Sequence, residues 1–388
     1  MKISKEEFVR RIRRIQAELE TEKMDALAIY GDEYRRENLR YVTDFWPIFE
    51  RGMLFIPRTG EPVFAGAPEG EQYAAEQCVW RDIRNVREFA CVSVPETINY
   101  PLAKFSSFRE ILAEVMPQGG RLGLVGTFDL PGPIYQRLEA AFDGEIVAAD
   151  DIMTRMRMRK SPDEIACLRR AGEIACIAYR ALMKAAVPGN TELFAAGAAE
   201  GAARQAGAEA IAFTVFGSGK RAATIIGRPT EKVIESGDMI MAALAVQYAG
   251  YISTVEYPFV AGTASPEQKA FLAALFDAAN EQFRMLRPGL KAADMVRGVK
   301  KVFARHGLSE YDVYPPMHGI GLAEAESPYP DESADYAFET GMCVNSDISL
   351  FGHPHGSNRI EEGFVFTENG VESLTPLIRE LVAKGVER

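Results

Sequence analysis

Residues 185–207 read AAVPGNTELFAAGAAEGAARQAG, residues 285–307 read MLRPGLKAADMVRGVKKVFARHG, and the two stretches align without a gap. Pro188-Gly189 falls on Pro288-Gly289 and Gly207 on Gly307, with an amphipathic helical pattern between that a C-cap glycine closes. Such self-similarity marks one supersecondary unit occurring twice. Each copy follows a helix with a strong start, Ser161-Pro162-Asp163-Glu164 in one case and Ser265-Pro266-Glu267-Gln268 in the other. Serine at the N-cap, proline at the first helical position and Glu or Gln at the third form a capping box. Strands follow each copy, among them Asp238–Ala243 and Gly250–Glu256. Two helix-helix-strand halves related by duplication pack a curved sheet against four helices.

Upstream, Phe8, Ile12, Ile15 and Leu19 recur at helical spacing among charges over residues 4–20. Ala26–Tyr30, Met53–Pro57 and Arg121–Gly126 read as buried strands, residues 58–61 as a turn leading into Pro62–Phe64, and residues 106–116 as a helix. This alternation predicts an α/β domain. The capped helix at Ser161 opens the next one, giving domains 1–155 and 156–388. A chain of 388 residues is indeed longer than one core usually spans.

Fifty-five acidic against 44 basic residues leave a net charge of −11, which disfavours nucleic acid as a main partner. Cys78, Cys91, Cys167, Cys176 and Cys343 are odd in number and lack a metal-type spacing, so reduced thiols are expected. No long apolar run and no apolar leader segment occur, so the expectation is a cytoplasmic protein without a membrane span.

More specific are Asn38-Leu39-Arg40-Tyr41-Val42-Thr43-Asp44-Phe45, Arg159-Lys160-Ser161-Pro162-Asp163-Glu164-Ile165 and His318-Gly319-Ile320-Gly321-Leu322. Glu326-Ser327-Pro328, Gly341-Met342 and Arg359-Ile360-Glu361 add to them. On these marks the chain resembles the pita-bread hydrolases: methionine aminopeptidase, prolidase, Xaa-Pro aminopeptidase and creatinase. The resemblance implies an α/β (α+β) protein with a creatinase-like N-terminal α/β domain and a pita-bread C-terminal domain whose half is duplicated.

In the peptidases of that family two aspartates, a histidine and two glutamates bind two metal ions. The resemblance places those positions at Ala243, Thr254, His318, Asp347 and Glu361, and a further histidine at Ala325. Ala243 and Thr254 supply no carboxylate, so no dinuclear centre and no cofactor are expected. A single ion on His318, Asp347 and Glu361 is the alternative.

Glu256 follows Thr254 by two residues and shares its face of the strand. It stands where creatinase, a metal-free relative, carries a glutamate that holds a guanidino substrate. Three buried acids, Glu256, Asp347 and Glu361, need a cation, and a cationic small-molecule substrate is expected to supply it. His318 is the expected proton carrier. His353, His355 and Glu326 are expected to bind substrate, although His353 and His355 equally suit an exposed turn. The catalytic histidine of creatinase falls near Ile226, so its mechanism does not transfer. Relatives form dimers in which an aromatic residue and an arginine of one N-terminal domain reach the other active site. Phe49 and Arg51 are similar in place, Arg51 suiting a carboxylate.

The reading is a metal-independent, homodimeric, creatinase-like hydrolase of a C–N bond in a small cationic or zwitterionic compound. The alternatives are a mononuclear-metal hydrolase or lyase, an Xaa-Pro dipeptidase-like peptidase, and an inactive binding module.

Overall fold

A computed structural model describes residues 2–90 and 105–385. The chain divides into two compact units, Ile3–Met156 and a second from Arg157 onward.

The first unit comprises α1 (Lys5–Thr21), β1 (Ala26–Asp32), α2 (Glu37–Thr43), β2 (Arg51–Pro57), β3 (Val63–Gly66), α3 (Glu71–Gln77), β4 (Ile83–Asn85), α4 (Phe108–Val115), β5 (Arg121–Val125), α5 (Gly132–Glu139), β6 (Glu145–Ala148) and α6 (Asp150–Met158), the last running across the boundary. Among the described residues its sheet runs β4-β3-β2-β1-β5-β6, with β1 antiparallel to β2 and parallel to β5. On α1 the buried positions include Phe8, Ile12, Ile15 and Leu19, the stripe read from the spacing. Buried Arg11 of the same helix links it to α2, its Nε donating to Glu7 Oε1 at 3.1 Å and its Nη1 to the Tyr41 carbonyl of α2 at 2.7 Å.

The second unit opens with α7 (Pro162–Ala185), α8 (Glu192–Gln205), β7 (Ala210–Ser218), β8 (Met239–Tyr248), β9 (Tyr251–Glu256) and β10 (Phe259–Val260). It continues with α9 (Pro266–Met285), α10 (Ala292–Arg305), β11 (Met317–Gly319), β12 (Cys343–His353), β13 (Gly356–Thr367), β14 (Gly370–Ser373) and α11 (Pro376–Lys384). The duplication is plain in this order. Helices α7 and α9 both start with complete capping boxes, on Ser161 and Ser265. Gly189 and Gly289, which turn the chain between the helices of each pair, sit at φ +95° and +82°, where a side chain would strain the backbone. Among the described residues the sheet runs β10-β8-β9-β13-β12-β11, with β7 added beside β8 and β14 beside β13.

Helix α7 lies against this sheet. The buried Tyr179 hydroxyl is 2.9 Å from the Ala242 carbonyl oxygen and accepts from the Tyr257 N–H at 2.8 Å, which ties β8 to the end of β9. Four described cysteines, Cys78, Cys167, Cys176 and Cys343, are free and buried; Cys91 lies outside the described residues. No helix among the described residues is long and apolar enough to cross a membrane.

At Gly172 helix α7 runs close to the chain after β14. A Cβ there would stand 2.0 Å from the Leu374 carbonyl oxygen, a backbone atom that cannot swing aside. Alanine is otherwise the better helix former by about 1 kcal/mol. Overpacking costs about 1–3 kcal/mol, so the clash wins. Gly172→Ala is therefore expected to lower the urea midpoint of unfolding, and an unchanged or higher midpoint contradicts this packing.

Candidate active site

Strand register builds the site. Ala243 of β8 stands opposite Glu256 of β9, Glu256 opposite Glu361 of β13, and Glu361 opposite Asp347 of β12. Residues in one cross-strand row share a face of the sheet, so three carboxylates lie side by side with an alanine at the end. Like charges directly opposite one another repel, and burial makes the repulsion worse. Glu256 is 0% exposed, Glu361 2% and Asp347 4%.

The cation that answers them comes from the chain itself. Arg359 precedes Glu361 by two residues on β13 and so projects from the same face. Its Nε donates to Glu256 Oε2 at 2.7 Å and lies 2.9 Å from Glu361 Oε1, while Nη1 is 3.8 Å from Asp347 Oδ2. Burial works against the Arg359 charge, but Glu361, Glu256 and Asp347 together outweigh it and hold the group firmly cationic. The Asn345 amide donates to the second oxygen of Glu361 at 3.0 Å, and the Ser349 hydroxyl to Asp347 at 3.2 Å.

One guanidinium cannot neutralise three carboxylates, and burial favours their protonated forms. Burial pushes Glu361 well above the usual carboxylate range against the pull of Arg359, and the neighbouring acids add to the rise. Asp347 is raised for the same first reason, with Arg359 and His318 opposing. Glu256 is pushed up to about 7 by burial, again against Arg359. Its Oε1 has no hydrogen-bond partner among the described residues, which makes it the natural seat of the proton.

A cavity of about 530 Å³ opens beside this row. His318, Glu324, Asp347, Arg359 and Glu361 line it, and Phe213, Ile226, Tyr314 and Tyr329 add apolar surface. His318 Nδ1 is 3.0 Å from the Gly319 carbonyl oxygen, and its Nε2 is 3.6 Å from Glu324 Oε1. The Thr254 hydroxyl donates to that same Glu324 oxygen at 3.2 Å. Glu324 thus brings a carboxylate from the loop to the strand position where the resemblance lacks an aspartate.

Other expected residues lie elsewhere. Glu256 does not line the cavity, and the cation beside its carboxyl is Arg359. Glu326 also stays off the cavity lining; it is half-buried and paired with Arg157 and with Lys160, whose Nζ is 2.9 Å away. Burial would raise its pKa, yet those two cations overrule it and hold the carboxyl below the ordinary value, which marks a structural ion pair. His353 stacks on Phe271 with ring centroids 5.2 Å apart and meets Tyr311 edge-on. His353 is the last residue of β12 and His355 follows it in the turn, and neither lines the cavity. Phe49 and Arg51 belong to the first unit, where they line a separate hollow of about 220 Å³. Arg359 and Glu324 are functional candidates that the sequence reading passed over.

The family's two-metal centre does not fit these residues. Ala243 and Thr254 offer no carboxylate, and the three that share one row converge on a guanidinium. Among the described residues no group of three or more His, Cys, Asp or Glu side chains is placed to hold an ion, and this includes the set His318, Asp347 and Glu361.

Residues 166–368 match Metallopeptidase family M24, and residues 11–159 match the creatinase/prolidase N-terminal domain. The Xaa-Pro dipeptidase of Pyrococcus furiosus is 28% identical over 288 residues, which are 74% of this chain and 82% of that protein. The prolidase structure from Pyrococcus horikoshii OT3 superposes with a TM-score of 0.80 at 24% identity, over 94% of this chain and 98% of that one. An Xaa-Pro dipeptidase from Bacillus anthracis also gives 0.80, at 23% identity over 95% and 97%. The expected fold is borne out, whereas the names these relatives carry are those of dipeptidases and not of creatinases. The chain belongs to metallopeptidase family M24, with a creatinase/prolidase N-terminal α/β domain followed by a pita-bread catalytic domain.

Proposed function

We propose that this chain hydrolyses an amide-type C–N bond in a short amino compound with a free cationic nitrogen, Xaa-Pro dipeptides being the first candidates, and that its own acid-base groups carry the reaction. The names of the relatives support the peptide-bond part. The observation that carries the acid-base part is the meeting of His318, Glu324, Asp347 and Glu361 around a guanidinium in one cavity. The creatinase-like expectation gives way because its premise was a substrate cation seated on Glu256, and Arg359 already sits there.

Each group has a role that its surroundings dictate. The Gly319 carbonyl can only accept, so Nδ1 of neutral His318 carries the proton and Nε2 keeps its lone pair. That lone pair is the base toward water. Glu361, whose pKa burial raises, is the acid toward the leaving nitrogen. Arg359 offers its positive charge to the oxyanion that develops at the carbonyl. Asp347 and Glu324 leave an acidic seat for the substrate ammonium, and the exposed Arg228 at the cavity suits a substrate carboxylate.

Chelator-dialysed protein assayed with Xaa-Pro dipeptides, other dipeptides and guanidino compounds tests this reading. Proline release unaffected by chelator is expected, with His318→Ala reducing kcat by roughly 100- to 10,000-fold. Activity lost to chelator and restored by manganese contradicts it, as does a fully active His318→Ala. Turnover of guanidino compounds alone would return the creatinase-like reading.

The raised Glu256 pKa also has a thermodynamic signature. Its ordinary value is 4.5 and its folded value about 7, so between those limits the folded state holds the proton that the unfolded state releases. Stability from this group is full below the lower limit and declines as pH rises to the upper one, by up to about 1.4 kcal/mol per pH unit. Glu362, likewise pushed up to about 7 by burial, adds its own slope. Glu256→Gln, which imitates the protonated form, is expected to make the fall of melting temperature between about pH 5 and pH 7 shallower than in the parent. An identical slope in both proteins would rule out the assignment.

A further inference from the structure

We infer that Arg221, seated on the buried Glu192 outside the cavity, is a positioning residue that holds the backbone carrying Arg228, and so sets a preference for ligands with a terminal carboxylate. The inference rests on the carboxylate role proposed for Arg228 and not on which bond is cleaved.

Charge singles out Arg228. Two arginines line the cavity, and Arg359 already stands among Glu256, Asp347 and Glu361. The exposed Arg228 guanidinium has no partner among the described residues, so it can meet a carboxylate through two parallel N–H groups. Ordering a long exposed side chain costs entropy on binding, and a fixed backbone lowers that cost.

The segment that carries Arg228 is pinned at both ends by one carboxylate. Glu192, the first residue of α8, is 0% exposed. Its Oε1 accepts from the Ser218 N–H and hydroxyl, both at 2.9 Å, and its Oε2 accepts from the Thr230 N–H at 3.0 Å and hydroxyl at 2.8 Å. Ser218 ends β7 and Thr230 lies two residues beyond Arg228, so the loop closes on a single side chain. A buried carboxylate needs a cation, and Arg221 provides it, with Nε 3.2 Å from Oε2. The same guanidinium reaches further, its Nη2 donating to the Arg228 carbonyl at 2.9 Å. The adjacent Gly227 carbonyl accepts from the Phe216 N–H of β7, also at 2.9 Å. Neither Glu192 nor Arg221 lines the cavity, so both act through Arg228.

Lysine at position 221 keeps a positive charge beside Glu192 but, with a single nitrogen, cannot also hold the Arg228 carbonyl. Binding of L-proline and of L-prolinamide at neutral pH, measured by calorimetry on parent, Arg228→Ala and Arg221→Lys proteins, reads the preference without turnover. The parent is expected to bind the carboxylate about tenfold tighter than the amide, the contribution of one charge-assisted hydrogen bond. Arg228→Ala is expected to bind the two alike, and Arg221→Lys to melt as the parent does yet lose most of the preference. A merely structural Arg221 would leave that preference intact in the lysine protein, and this result overturns the inference. A parent that does not discriminate overturns it too, as does an Arg228→Ala that still does. Should Arg221→Lys not fold, the same preference is measured on Arg221→Gln. A protein that releases no proline from Xaa-Pro dipeptides but prefers the carboxylate, and loses the preference in both variants, upholds the inference while the hydrolytic reading fails.

Discussion

Three carboxylates in one row of a buried sheet would drive the strands apart unless something positive lay among them, and the Arg359 guanidinium does so from the same strand as Glu361. Much of the catalytic unit follows from this arrangement. It allows β9, β13 and β12 to bring acids face to face, and it leaves the guanidinium at the edge of the cavity. A buried ion cluster seldom adds net stability, whereas losing one member costs about 3–5 kcal/mol. The cluster is therefore better understood as a device for fixing charges in place than as a source of folding energy.

Charge count decides the chemistry available. With more acids than cations in a dry site, burial shifts Glu361 and Asp347 toward their protonated forms, where exposed carboxyls would be spectators. His318, its Nδ1 anchored on a backbone carbonyl, turns the other nitrogen toward Glu324. Base, acid and fixed positive charge thus meet in one cavity, a set that can perform hydrolysis by proton transfer and oxyanion stabilisation.

The architecture was legible in the sequence because local signals were strong and repeated: capping boxes at Ser161 and Ser265, Pro-Gly turns a hundred residues apart, and apolar stripes on α1. That Ala243 and Thr254 bring no carboxylate to the site was legible too, as was a buried and paired Glu256. The partner of Glu256 was not anticipated, although the signal was available. The alternation that puts Thr254 and Glu256 on one face equally puts Arg359 beside Glu361. Which strand would lie beside which is a long-range fact, and without it the missing cation was sought in the substrate. Glu324 and Glu326 show the complementary difficulty. They lie two residues apart outside the regular strands, and only the folded loop sends one to His318 and the other to Arg157 and Lys160.

The proposed function makes a guanidinium, and not a metal ion, the partner of the acids at the heart of the pita-bread unit. A crystal structure of the parent protein grown in manganese, with an anomalous difference map, tests it most directly. The account predicts continuous Arg359 density spanning Glu256 and Glu361 and no anomalous peak among Glu256, Asp347 and Glu361. A manganese peak there, with Arg359 turned away, would contradict it.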